Sequence, residues 1–127
     1  MADSLTVYHY PACGTCKKAR KWLESEGIEH TLVHIVEQTP DRATLAAAWR
    51  ASGLPLKRFF NTSGQSYRGG GFKDRLPTMS DEAQLDALAA DGKLIKRPLA
   101  ILPKPSASGV GALVGFKQAE WQDALRS

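Results

Sequence analysis

The chain has 127 residues, of which 43% are hydrophobic, and a formal net charge of +4. That length and apolar content suit one compact domain and argue against a disordered chain. No apolar run approaches the roughly 20 residues that a membrane-spanning helix needs. Residues 1–6 have neither the basic stretch nor the apolar segment of a signal peptide, so we expect a cytoplasmic protein that does not bind a membrane.

The positive charge is modest and its carriers are dispersed. Lysine and arginine do not gather on one stripe of the sequence, as they do in proteins that contact a nucleic-acid backbone. The charge therefore predicts no direct contact with nucleic acid, although an anionic substrate or an acidic partner fits it.

The first predicted elements are a strand, a helix and a second strand. Residues 5–8 alternate between apolar and polar side chains, which is typical of a strand. A turn leads into a helix at about residues 15–26, with apolar side chains on one face and Gly27 after its end. Apolar residues at positions 32–36 predict a second strand, buried in the interior of a sheet. The three elements predict a right-handed βαβ unit.

The middle of the chain is predicted to be mainly helical, from about residue 38 to residue 92. Pro40 and Asp41 start a helix that ends near Gly53. The segment 61–71 is rich in glycine and serine and is expected to be a loop. Ser80 is expected to cap the helix that follows, because acidic residues come directly after it.

The last third returns to strands. Residues 98–102 and 110–116 are apolar and flank a turn-rich segment, which predicts a hairpin before a final helix at 117–125. The whole order predicts an α/β fold of the thioredoxin-like (glutaredoxin-like) type. We expect a mixed four-stranded sheet with flanking helices, in one domain whose core (1–38 and 93–127) surrounds a helical insertion (39–92).

The chemistry is predicted at a cysteine pair between the first strand and the first helix. Cys13 and Cys16 are the two cysteines of the chain. The unpaired N–H groups and the dipole at a helix N-terminus stabilise a thiolate there. Cys13 is therefore the expected nucleophile, and Cys16, one turn further along the helix, is the expected resolving thiol.

Two other interpretations of the pair stay open. A zinc site needs four ligands, and the three histidines of the chain do not have the usual spacing to complete one. A merely structural disulfide across so short a loop adds little stability. The sequence predicts no metal and no other cofactor.

A second segment is expected to complete the site. In a sheet of this type, a cis proline before the third strand lies against the reactive cysteine, and Pro98 has that place. Arg97 then points towards the same site, where its guanidinium can bind an oxyanion or favour the thiolate. The alternatives are an ordinary trans proline and a solvated surface arginine.

Several stretches of the chain resemble the arsenate reductase (ArsC)/Spx family. Residues 8–16 read Tyr-His-Tyr-Pro-Ala-Cys-Gly-Thr-Cys, and residues 94–99 read Leu-Ile-Lys-Arg-Pro-Leu. Residues 56–64 and 114–117 also fit the Spx/MgsR-like branch of that family. The resemblance covers nearly the whole chain and implies a thioredoxin-like core, formed by both ends of the chain around an inserted helical subdomain.

For function, the resemblance implies attack on an oxyanion. In the glutaredoxin-dependent arsenate reductases, the cysteine that matches Cys13 attacks arsenate, glutathione resolves the adduct, and three arginines hold the oxyanion. Arg97 matches one arginine, Asn61 stands at the position of another, and the third position falls near residues 116–117. Tyr10 replaces an asparagine of the cysteine loop. The loss of two guanidinium groups predicts weaker oxyanion binding.

The resulting expectation is an arsenate reductase-like thiol oxidoreductase. Cys13 attacks a small oxidised substrate, Cys16 resolves the adduct to an internal disulfide, and Arg97 assists by its charge. Glutathione with glutaredoxin, or thioredoxin, is the expected reductant. Four further residues are expected to contact the substrate: Gly14, Thr15, Asn61 and Pro98.

The resemblance also implies a second, different function. Spx-like regulators carry the same two-cysteine switch and bind the α subunit of RNA polymerase. The alternative expectation is therefore a redox-sensing transcriptional regulator, in which a Cys13–Cys16 disulfide changes the affinity for that subunit.

Overall fold

The computed structural model describes residues 5–126, and all strands in this part of the chain form one sheet. The strands are β1 (Leu5–His9), β2 (His30–His34), β3 (Leu99–Ile101) and β4 (Ala112–Val114). Their order in the sheet is β2-β1-β3-β4. β1 is parallel to β2 and antiparallel to β3, which is antiparallel to β4. The mixed four-stranded sheet and its C-terminal hairpin confirm the predicted fold class.

Helices connect and flank the strands. They are α1 (Gly14–Ser25), α2 (Arg42–Ser52), α3 (Gln65–Gly69), α4 (Phe72–Arg75), α5 (Asp81–Ala90) and α6 (Gln118–Arg126). α1 joins β1 to β2, whereas α2 to α5 all come between β2 and β3 in the chain. No helix of the described residues is both long and apolar enough to span a membrane. The division into a core (1–38 and 93–127) and an insertion (39–92) stays a prediction, and its residues 1–4 and 127 lie outside the described ones.

The predicted helix starts in the middle of the chain are confirmed by their caps. The Asp41 side chain accepts a hydrogen bond from the Thr44 N–H at 2.8 Å, and that of Ser80 accepts one from the Ala83 N–H at 3.1 Å. Gly53 ends α2 in the left-handed conformation at φ 71°, which a side chain rarely adopts. Local capping chemistry therefore sets these helix ends.

Two of the predicted elements are wrong. The second strand is an edge strand rather than an interior one: it ends at His34, and Leu32 is 40% exposed. The ring nitrogen Nδ1 of His34 accepts hydrogen bonds from the N–H groups of Val36 and Glu37, which turns the chain away from the sheet. Ile35 therefore follows the strand and is buried in the core beside it.

The glycine-rich segment 61–71 is the other correction, because it contains the helix α3. Tyr67 of this helix packs on Phe60 and Phe72, with ring centroids 6.4 and 6.1 Å apart. Burial of these aromatic rings stabilises a helical turn that local propensity does not favour.

The core has two clusters on opposite faces of the sheet. Along β3, Leu99 belongs to one cluster and Ala100 to the other, as expected from the alternation of side chains in a strand. One cluster contains the helices α1 and α6 through Leu23 and Trp121. The other contains the helices between β2 and β3. The carboxyl end of β1, where α1 begins, lies between these two layers and positions the cysteines.

Candidate active site

The loop between β1 and α1 places Cys13 at the N-terminus of the helix. The Cys13 N–H donates to the carbonyl of Tyr10 at 2.9 Å, which closes a tight turn. Cys13 has extended backbone angles (φ −80°, ψ 120°) and is the N-cap of α1. Its Sγ accepts a hydrogen bond from the Cys16 N–H at 3.4 Å. The thiol therefore faces the free donors of the helix terminus, as the spacing predicts.

The two cysteines have opposite environments. Cys13 is half-buried, whereas Cys16 is 1% exposed. Burial opposes ionisation of Cys13, but the hydrogen bonds from Cys16 and Arg97 and the charge of Arg97 outweigh it, so the pKa of Cys13 is lowered. Burial, with the neighbouring Cys13 as a smaller cause, raises the pKa of Cys16 to about 12. At neutral pH, Cys13 is the better nucleophile and Cys16 stays protonated.

Arg97 reaches this loop from the segment before β3. Its guanidinium carbon lies 4.8 Å from the ring centroid of Tyr10. Both a hydrogen bond and the positive charge of Arg97 favour the Cys13 thiolate. The structure therefore brings Arg97 to the cysteine, and the alternative of a solvated surface arginine is wrong.

Pro98 and Asn61 lie on the same side of the site as Arg97. The peptide bond between Arg97 and Pro98 is cis, as predicted, and Pro98 is buried. The Asn61 amide Nδ2 donates at 3.5 Å to the Lys93 carbonyl. The same carbonyl accepts from Arg97 NH1 at 3.4 Å, so Asn61 and Arg97 share one acceptor.

The remaining predicted residues, Gly14 and Thr15, are the first two residues of α1 and are exposed. They stand beside Cys13 in the chain and are accessible from solvent. Their contact with substrate stays a prediction. A separate cavity of about 450 Å³ lies among α2 to α5 and contains none of the predicted site residues in its lining, so it is not the site of the thiol chemistry.

The sequence left open whether His9 orients the cysteine loop, and it did not indicate the contacts of Tyr10 and His34 below that loop. Tyr10 lies under Arg97, and its ring meets the ring of His34 edge to face at 5.6 Å. His9 is buried and its Nδ1 has no hydrogen-bond partner. Burial, with the charges of Arg20 and His34, lowers the pKa of His9, which is therefore neutral at pH 7. The one signal in the sequence is the alternation Tyr-His-Tyr before the cysteine loop.

Metal binding has no support among residues 5–126. No group of three or more His, Cys, Asp or Glu side chains is close enough to hold an ion there. The two cysteines are free thiols, and one of them, Cys13, caps the N-terminus of α1. The arrangement is that of a nucleophile with a nearby second thiol.

The site combines a thiol at the N-cap of the helix after β1 with an arginine that precedes a cis proline. Comparison with known sequences agrees with this arrangement. The sequence model of the ArsC family matches residues 8–124. The chain belongs to the ArsC family. This match confirms the family resemblance. That resemblance is indicated by the segment with the two cysteines, residues 8–16, and by the segment with Arg97, residues 94–99.

Relatives of this chain carry different names. The chain is 49% identical to the uncharacterized protein YusI of Bacillus subtilis over 120 residues, which are 94% of this chain and 97% of that protein. It is 36% identical to an arsenate reductase of Rhizobium meliloti over 100 residues (79% and 70% of the two chains). It is 27% identical to the regulatory protein MgsR of Bacillus subtilis over 101 residues (80% and 79%).

A solved structure shows the same fold over nearly the full length. The crystal structure of an ArsC family related protein from Bacteroides fragilis matches with a TM-score of 0.87 and 44% sequence identity. The match covers 96% of this chain and 98% of that one. The relatives of this chain thus include both a protein named as a reductase and one named as a regulator.

Proposed function

We propose that this protein is a cytoplasmic thiol oxidoreductase that reduces arsenate or another small oxidised substrate through Cys13. The observation that carries the proposal is the contrast between the two thiols. Cys13 caps α1 with its Sγ 3.4 Å from the Cys16 N–H, and its pKa is lowered. Cys16 is 1% exposed, and burial raises its pKa to about 12. A reactive thiolate beside a protected thiol is the arrangement that a two-step thiol reduction needs.

For arsenate, the first step forms a bond between sulfur and arsenic. The Cys13 thiolate attacks arsenic(V), the bond from arsenic to one hydroxyl oxygen breaks, and that oxygen takes up a proton from solvent and leaves as water. Arg97 favours the thiolate before the attack and faces the anionic adduct afterwards. Gly14 and Thr15 border the adduct at the exposed helix start, while Asn61 and Pro98 border it on the side of Arg97.

The second step forms the disulfide. The sulfur of Cys16 attacks the sulfur of Cys13, and the S–As bond breaks with its electron pair on arsenic, which becomes arsenic(III). Arsenite leaves with the proton that Cys16 gives up. Glutathione with glutaredoxin, or thioredoxin, then supplies two electrons and two protons and restores both thiols.

The number of arginines limits the affinity for oxyanions. In the family resemblance, Arg97 is the one arginine of three that is retained, and Asn61 holds the position of another. Asn61 offers a neutral amide, which is engaged with the Lys93 carbonyl at 3.5 Å. Since hydrogen bonds to charged groups contribute about 1.5–3 kcal/mol each, we expect a high KM for arsenate.

The test is turnover coupled to NADPH oxidation. The purified protein is assayed with arsenate, glutathione, glutaredoxin and glutathione reductase, and in parallel with thioredoxin and thioredoxin reductase. We expect turnover in at least one system and none above background for Cys13→Ser. Full turnover by Cys13→Ser would refute the assignment of the nucleophile, and a reactive Cys13 without turnover in either system would remove arsenate as the substrate.

A second candidate function is favoured by the similarity to MgsR, which is named as a regulatory protein. In that case the Cys13–Cys16 disulfide changes the affinity of the chain for the α subunit of RNA polymerase, and no substrate is turned over. A pull-down of purified α subunit by the reduced and the oxidised protein distinguishes the two. Binding that changes with oxidation supports the regulator, and no binding in either state removes it.

A further inference from the structure

The Arg97 side chain reaches Cys13 with few polar contacts of its own. Neither of the two ion pairs described within residues 5–126, Arg42 with Asp86 and Arg126 with Glu26, involves Arg97. Its buried Nε has no hydrogen-bond partner, and NH1 donates to a carbonyl at the long distance of 3.4 Å. Apart from its hydrogen bond to Cys13, these polar contacts are weak. Since an arginine loses much rotamer freedom when it is fixed, any further contact with the guanidinium helps to hold it in place.

That contact is the aromatic face of Tyr10. The guanidinium carbon of Arg97 lies 4.8 Å from the centroid of the ring. A flat, weakly hydrated guanidinium is attracted to the face of an aromatic ring, and more strongly where water is excluded. The ring is half-buried against the core cluster that contains the helices between β2 and β3, so solvent is excluded from part of its surface.

Tyr10 is itself fixed at its backbone and at its ring. Its carbonyl accepts from the Cys13 N–H at 2.9 Å. Its ring meets His34 at 5.6 Å with an interplanar angle of 81°. His34 is in turn held by the N–H groups of Val36 and Glu37, each 3.2 Å from its Nδ1. The Tyr10 ring is therefore held by contacts that do not involve Arg97.

We propose that the ring of Tyr10 is a positioning residue that holds the Arg97 guanidinium beside the Cys13 thiol. The inference deepens the proposed function, because it rests on Cys13 as the nucleophile. Tyr10 acts through Arg97, and its aromatic face matters while its hydroxyl does not. Other charged or titratable groups near this assembly include Cys16 from α1 and His34 beneath the ring. Beyond His34 lies His9, with ring centroids 6.3 Å apart, and the charge of Arg20 acts on His9.

The test measures the alkylation of Cys13 as a function of pH. All variants carry Cys16→Ser, which leaves one thiol and keeps the backbone N–H of residue 16 that donates to the Cys13 Sγ. Iodoacetamide is the probe, and Tyr10→Phe is the matched control for Tyr10→Leu. We expect the phenylalanine variant to keep the wild-type profile. In the leucine variant the profile moves to higher pH, and the rate below its midpoint falls about threefold to tenfold because the cation–π contact is lost.

A double substitution shows whether the effect passes through Arg97. In an Arg97→Gln background, Tyr10→Leu is expected to change the alkylation profile no further. An equal shift with and without Arg97, or no shift in the leucine variant, overturns the inference.

A measurement on the unaltered protein covers the case in which Tyr10→Leu does not fold. The Arg97 Nε–H resonance is expected to be displaced upfield by the ring current of Tyr10, with a nuclear Overhauser effect to the ring protons. An Arg97 resonance at its ordinary position, without that effect, also overturns the inference. Because none of these readouts needs turnover, a protein that reduces no arsenate can still support or overturn the role of Tyr10.

Discussion

The two halves of the site are built in different ways. The N-terminal half, residues 10–16, is held by contacts within its own turn and helix, such as the bond from the Cys13 N–H to the Tyr10 carbonyl. The C-terminal half, residues 93–98, reaches the thiol because β3 pairs with β1. It is also tied to Asn61, whose N–H donates to the Leu94 carbonyl at 2.8 Å.

The difference separates two tasks. The N-terminal half, which we call the local half, determines which thiol is exposed and which is buried, because one turn of α1 takes the chain from the surface to the core. The C-terminal half, which we call the distant half, supplies the arginine whose charge acts on the exposed thiol. Substitution of the buried thiol Cys16 in the first half should therefore change the type of product, whereas a substitution in the second half should change a rate or an affinity.

The largest effect is expected from Cys16→Ser in the local half. Without the resolving thiol, the adduct on Cys13 cannot collapse to the internal disulfide. Mass spectrometry after oxidation with glutathione disulfide should show one glutathione on Cys13 in this variant and mainly the internal disulfide in the wild type. A variant that accumulates no adduct would show that Cys13 is not the attacking thiol.

The distant half depends on the central strand, so Leu99→Ala is expected to have the next largest effect. Leu99 lies in β3 and is fully buried. Arg97 and Pro98 directly precede this strand in the chain. Its truncation should lower the free energy of unfolding by about 2–5 kcal/mol, through lost burial and a cavity.

The matched control is Leu32→Ala, which removes the same atoms from the edge strand β2 at a site that is 40% exposed. Urea denaturation measures both. Equal losses at the two positions would contradict the assignment of β2 to the edge of the sheet.

Arg97→Gln is expected to reduce the reactivity of the thiol without unfolding the protein. The charge and hydrogen bond of Arg97 help to lower the pKa of Cys13, so their loss raises that pKa and leaves less thiolate at neutral pH. The alkylation profile should move to higher pH, and turnover at pH 7 should fall about tenfold to hundredfold. Raising the pH should recover part of the alkylation rate. A profile that does not move would show that Arg97 acts on the substrate alone.

The smallest effect is expected from Asn61→Ala. Its amide donates to the Lys93 carbonyl at 3.5 Å, which is at the limit of a hydrogen bond, and carries no charge. Turnover should fall less than about threefold, because a neutral hydrogen bond contributes little. Asn61→Arg serves as the converse test and should lower the KM for arsenate. A KM that stays unchanged would place residue 61 outside the oxyanion site.

The local half of the site could be predicted from the sequence, since its causes are local. A strand, a turn and a helix with Cys13 at the junction are sufficient to place the thiol on the helix terminus. The caps at Asp41 and Ser80 are predictable for the same reason, because a side chain bonds to a backbone N–H within a few residues.

The rest depends on tertiary contacts that periodicity does not show. The mostly apolar segment 32–36 resembles an interior strand, yet it spans the end of an edge strand. Ile35 follows the last residue of that strand and is buried in the core. The place of Tyr10 under Arg97 likewise requires the pairing of β1 with β3. A residue's contacts across the sheet cannot be read from its neighbours in the chain.

The most direct test of the account is to find which cysteine reacts at which pH in the wild-type protein. Reduced protein is labelled with iodoacetamide from pH 5 to 10, a range that brackets the pKa of a free cysteine, which is roughly 8.5. Peptide mass spectrometry then identifies the labelled position. We expect a single label on Cys13 with a midpoint below about pH 8.5, and no label on Cys16 at any pH in this range. Labelling of Cys16 first, or a Cys13 midpoint at or above that of a free cysteine, would contradict this expectation.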